Sequence, residues 1–121
     1  MRIVAEGQQV VRVDWDANNL TDQNLNKVLK HVFKKITNAD GVIISDYNKG
    51  ICTELIIKNI ISKAKELQIP VFVDPKGKDW YKYNGASIIT PNLKESEEHI
   101  GKALKTNKDI EKAGLQICNN L

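Results

Sequence analysis

The chain has 121 residues, 41% of them hydrophobic, a size and composition suited to one domain with one core. Its 18 basic and 15 acidic residues run along the whole length for a net charge of +3, so the lysine excess reads as a solvated surface rather than a nucleic-acid stripe. No run approaches the roughly 18 apolar residues of a membrane span, the N-terminus carries no apolar signal core, and Cys52 and Cys118 lack metal-ligand spacing, so the expectation is a soluble cytoplasmic protein with reduced thiols and neither membrane nor nucleic acid as partner.

The opening stretch RIVAEGQQVVRVDWD sets Val11, Val13 and Trp15 on one side of a strand and Arg12, Asp14 and Asp16 on the other, with Gly7 marking a hairpin back to Ile3 and Val4. Thr21 is a helix cap, and Leu25, Val28, Leu29, Val32, Phe33 and Ile36 then fall on one helical face, with His31 on the solvent side. GVIIS, residues 41 to 45, has the form of a strand buried on both faces. A second helix is expected from about Thr53 to Gln68, with Ile56, Ile60, Ala64 and Leu67 inward. Pro70 introduces the strand VFV, and ASII, residues 86 to 89, forms another. A helix from Leu93 stops at Gly101, and a last one starts at Thr106 with Asp109 three residues on and an apolar face of Ile110, Ala113, Ile117, Cys118 and Leu121. The alternation of strands and helices predicts an α/β fold, a three-layer Rossmann-like and mainly parallel sheet with an N-terminal hairpin. Cys118 reads as a core residue.

In such sheets ligands bind beyond the carboxyl ends of the strands, where helix N-termini attract anions. Three polar strand endings are therefore the candidates: SDYNKG with Asp46 and Lys49, DPKG with Asp74 and Lys76, and TPNLKE with Thr90, Asn92 and Glu95. Carboxylates can hold hydroxyls or a hydrated cation and lysines can neutralise phosphate oxygens, a set suited to a phosphorylated, polyhydroxylated substrate. Each ending also has a plainer reading. Asp46 and Asp74 suit turns that bond their own backbone, and Asn92 with Glu95 matches a reciprocal helix cap. DWYKY, residues 79 to 83, alternates aromatics with lysine like a base-stacking platform, but a helical turn packing Trp80 and Tyr83 against the sheet edge explains it better.

In this order, SDYNKG, VDPKG and TPNLKE resemble the ribokinase-like, phosphofructokinase B type carbohydrate kinases, and within them the kinase domain of the bacterial bifunctional ADP-heptose synthases. QQVVRVDWD is similar to the strand that precedes these motifs in that family, and the likeness runs from about Arg2 to Gly101. The resemblance implies ATP-dependent transfer of the γ-phosphoryl group to D-glycero-D-manno-heptose 7-phosphate, with Mg2+. It implies that Asn92, Leu93, Lys94 and Glu95 serve the ATP end of the site, Glu95 reaching the metal through water. Lys76 would stabilise charge on the transferring phosphoryl group, and Asp46, Lys49 and Asp74 would face the substrate or phosphate.

The family's catalytic base is an aspartate in a Gly-Ala-Gly-Asp type motif, and no Gly-x-Gly-Asp occurs in this sequence. The glycine-rich sugar-binding segments and the adenine-cradling strands are likewise unmatched. Residues 1–121 are thus expected to be the central part of a longer kinase domain, inactive alone, whose partners are a sugar phosphate, a nucleotide and either a second copy or the rest of the domain. The alternatives are a noncatalytic α/β module that binds a phosphorylated ligand or pairs through its sheet edge, and another sugar kinase of the superfamily acting on fructose phosphates or ribose. Asp-Pro-Lys-Gly in place of Asp-Pro-Asn favours heptose.

Overall fold

The computed structural model describes residues 2–5, 8–12 and 21–121. Strands β1 (Arg2–Ala5) and β2 (Gln8–Arg12) form the expected antiparallel hairpin, pairing Arg2 with Arg12 and Ile3 with Val11. Val13, Asp14, Trp15 and Asp16 lie outside the described residues.

Helix α1 (Asp22–Ile36) begins where Thr21 accepts from the Asn24 amide, and it buries Leu25, Leu29 and Ile36. Strand β3 (Val42–Ser45) leads to α2 (Glu54–Glu66), capped by Thr53. On α2 the buried stripe is Ile56, Ile57, Ile60, Ile61 and Ala64, a wide face that leaves Leu67 partly exposed at the helix end. Strands β4 (Val71–Asp74) and β5 (Ile88–Ile89) complete a parallel sheet in the order β3-β4-β5. Between them the chain makes a 3-10 turn, Tyr81–Tyr83, that brings Trp80 and Tyr83 into the core with no exposed surface. Helices α3 (Leu93–Ile100) and α4 (Asn107–Asn120) follow, α3 ending on Gly101 in the left-handed conformation at φ 75°.

One face of the sheet supplies Ile44, Val71 and Val73 to the core shared with α1, α2 and Ile117 of α4. The register sets Ile43, Phe72 and Ile88 in one row on the opposite face, and these are 80%, 36% and 50% exposed. The expectation that β3 is buried on both faces is thereby corrected. An apolar run states which residues tolerate burial, not whether the described residues supply a cover for both faces. The last helix departs in the same way: Ala113 and Ile117 are buried, whereas Ile110 is 45% exposed and Cys118 lies at the surface rather than in the core.

Candidate functional site

Because the sheet is parallel, the carboxyl ends of β3, β4 and β5 open on one rim, as the three polar endings require. Ser45 pairs with Asp74, and the Asp46 amide donates to the Asp74 carbonyl at 3.0 Å. At the next strand the Thr90 amide donates to the Val73 carbonyl at 2.9 Å.

The β4 and β5 endings meet through side chains. Lys76 Nζ lies 2.9 Å from Glu95 Oε1. The other carboxylate oxygen, Oε2, accepts from the Asn92 amide at 3.0 Å, while Asn92 Oδ1 accepts from the Glu95 amide at 2.9 Å. Glu95 therefore closes the capping box of α3 and holds the lysine of the DPKG loop at once. Its residue surface is 7% exposed, whereas Asn92, Leu93 and Lys94 stand at the surface. Burial pushes the Glu95 carboxyl up, but the bonds from Lys76 and from Asn92 outweigh it and leave the group below its ordinary value. The same contact raises the Lys76 ammonium above its ordinary value.

The β3 ending is organised differently. Asp46 is 4% exposed, and its carboxylate accepts from the Asn48 amide at 2.6 Å, from Lys82 Nζ at 2.5 Å and from the Tyr83 hydroxyl at 2.7 Å. The turn onto itself is made by Asn48 at φ 54°, a left-handed conformation that asparagine tolerates. Burial pushes the Asp46 carboxyl up, and the bonds from Lys82, Tyr83 and Asn48 more than reverse this, so it stays ionised below the ordinary range. Burial, and then the neighbouring carboxylate, drive the Tyr83 phenol well above its usual value. Tyr83 also receives the Lys76 amide at 3.3 Å, which ties the β3 ending to the DPKG loop.

The geometry thus brings Lys76, Asn92 and Glu95 together in one contact and links Asp46, anchored by three donors, to Lys76 through the Tyr83 hydroxyl. Asp74 and Lys49 are exposed on the same rim. Lys82 and Tyr83 were not among the sequence candidates. The signal available for them was the aromatic and lysine alternation of DWYKY, in which Tyr83 does pack inward, but nothing local points it at a residue 37 positions earlier. Among the described residues no three His, Cys, Asp or Glu side chains gather as a metal cage. Glu95 and Asp46 are both shielded carboxylates whose oxygens already have partners within the protein.

No family model matches the chain. Among curated proteins it is 42% identical over 113 residues to the bifunctional protein HldE of Wolinella succinogenes, covering 93% of this chain and 24% of that protein. It is 37% identical over 123 residues to the bifunctional protein HldE of Campylobacter curvus, with 99% and 25% covered, and 42% identical over 117 residues to that of Helicobacter pylori strain J99, with 96% and 25% covered. The chain spans about a quarter of the length of the curated relatives it matches. It is homologous to one region of the bifunctional HldE proteins.

Proposed function

We propose that this region is the central part of a ribokinase-like sugar kinase, working in the cytoplasm on D-glycero-D-manno-heptose 7-phosphate and ATP in ADP-heptose synthesis. The observation that carries the reading is the Lys76–Glu95 contact, which joins the DPKG loop to the capped N-terminus of α3 at the carboxyl rim. A helix N-terminus and an adjacent ammonium form an anion-binding pair, and phosphoryl transfer draws most of its catalysis from such positioning and charge.

In this reading MgATP, when bound, supplies the phosphoryl group. Asn92, Leu93 and Lys94 would border the nucleotide, Lys76 would neutralise phosphate charge, and Glu95, while it holds Lys76, would hold the cation through water. Asp74 and Lys49 face the sugar phosphate. Asp46, its carboxylate filled by three donors, orients the rim around them. In this reading none of the described residues is assigned the proton of the acceptor hydroxyl, and the sequence has no Gly-x-Gly-Asp.

The test is a chimera in which this chain replaces the matching region of the Campylobacter curvus protein, with sugar phosphorylation and nucleotidyl transfer assayed separately. Phosphorylation should persist in the chimera and fall with Lys76→Ala or Asn92→Ala while nucleotidyl transfer holds. The opposite pattern would place the region in the other half of the bifunctional protein. The open apolar row of Ile43, Phe72 and Ile88 favours a second reading, a noncatalytic module that pairs with another polypeptide.

A further inference from the structure

The DPKG loop is held a second time, one helical turn away from the Lys76–Glu95 contact. His99 follows Glu95 by four residues, so the two share one face of α3. Its imidazole stacks on Trp80 with ring centroids 4.1 Å apart and planes 3° from parallel. His99 Nδ1 lies 2.7 Å from the Lys78 carbonyl, an acceptor, so that nitrogen carries the proton and donates. Trp80 has no exposed surface, and its Nε1 donates to the Gly77 carbonyl at 2.9 Å. Between Lys76 and Lys78 stands Gly77 at φ 81°, a left-handed conformation that glycine adopts without strain.

We propose that His99 is the positioning residue for Lys76. By stacking on Trp80 and bonding the Lys78 carbonyl it fixes the loop from Lys76 to Trp80 along α3, and the ammonium arrives at Glu95 as a result. Loop and helix are thereby aligned at two points one turn apart, Glu95 with Lys76 and His99 with Trp80 and Lys78. These contacts align the loop with α3 beside the bond from the Lys76 amide to the Tyr83 hydroxyl; its meaning for phosphate binding rests on the kinase reading above.

The test has two arms on the 121-residue chain. In the first, amide hydrogen exchange is compared in wild type, His99→Ala, His99→Phe and His99→Gln. His99→Ala should speed exchange at the Lys76 amide, which donates to the Tyr83 hydroxyl, about tenfold while α1 and α2 keep their protection. His99→Phe, which keeps a stacking ring, and His99→Gln, which keeps a donor, should each recover part of it, and they decide the matter if the alanine variant does not fold. Unchanged exchange at the Lys76 amide in all three would overturn the proposal.

In the second arm MgATP affinity is measured in a cycle with Lys76→Met. His99→Ala should weaken binding roughly three- to tenfold in the wild-type background, the scale of coupling between neighbouring residues, and have no effect beside Lys76→Met. An equal loss in both backgrounds would show that His99 acts through general stability and would also overturn the proposal. A wild-type chain that binds no MgATP leaves the kinase reading to the chimera and the placement to the exchange arm.

Discussion

Tyr83 donates its hydroxyl to Asp46 across 2.7 Å, joining the end of β3 to the 3-10 turn that precedes β5. Lys82, 17% exposed, completes the same carboxylate. Removing the carboxylate leaves an ammonium short of its counter-charge in a shielded place, so Asp46→Asn should cost roughly 3 kcal/mol. Tyr83→Phe removes one donor to a charged acceptor and should cost about 2 kcal/mol. Urea unfolding of the two single variants and the double variant checks this. The double should fall well short of the sum, because both substitutions act on one network.

The same network makes stability depend on acid. The folded Asp46 carboxyl lies below its ordinary value of 3.8, so its contribution is complete above that value and is lost as pH falls through the folded one. The stability gap between wild type and Asp46→Asn should therefore be constant from neutral pH down to about 5, and should narrow below about 4 as the wild-type carboxylate takes its proton. Denaturant titrations repeated across that range measure the gap. A gap that stayed constant to pH 2 would show that the charge of Asp46 contributes nothing beyond its shape.

How much of this was legible in the sequence follows from the range of each interaction. Caps are local, and Thr21, Asn92, Gly101 and Thr106 all stand where the sequence predicts them, because each uses its own neighbours within four residues, while Thr53, expected as the start of the second helix, proves to be its cap. The common rim was legible too, since strand alternation with helices implies parallel strands. The exposure of Ile43 and Cys118 was not, because burial depends on what packs across the chain. Nor were the bonds of Tyr83 and Lys82 to Asp46 or the stack of His99 on Trp80: these join residues 37, 36 and 19 positions apart, and no spacing rule reaches that far, whereas the Asn48 amide on Asp46, two residues on, is the local turn the sequence allows.

Trp80 supports both the core and the loop beside it. Trp80→Ala opens a large hole where the side chain has no exposed surface, and should cost about 4 kcal/mol. Trp80→Phe keeps most of the packing and a face for His99 but loses the donor to the Gly77 carbonyl, and should cost about 1 to 2 kcal/mol. Thermal melts followed in the far ultraviolet rank the two. If the indole donor matters to the loop, the phenylalanine variant should also show faster exchange at the Lys76 amide with little change in α1.

The cap and the site at Asn92 can be separated experimentally because they ask for different atoms. The cap needs an oxygen that accepts from the Glu95 amide, and serine or aspartate supplies one about as well as asparagine. Asn92→Ala should lose about 1 kcal/mol of stability, while Asn92→Ser should remain within about 0.5 kcal/mol of wild type. Neither replacement carries the amide group of asparagine, and aspartate adds negative charge where the kinase reading places phosphate. If Asn92 serves the nucleotide, MgATP binding should fall in Asn92→Ser and fall further in Asn92→Asp, although α3 stays capped in both. Glu95→Gln is the companion variant: glutamine can still accept from the Asn92 amide, so stability should hold, while Lys76 loses its charged partner. Calorimetric titration of MgATP alongside urea unfolding gives both readings on the same samples. Binding that tracked stability across all four variants would reduce Asn92 and Glu95 to a helix cap.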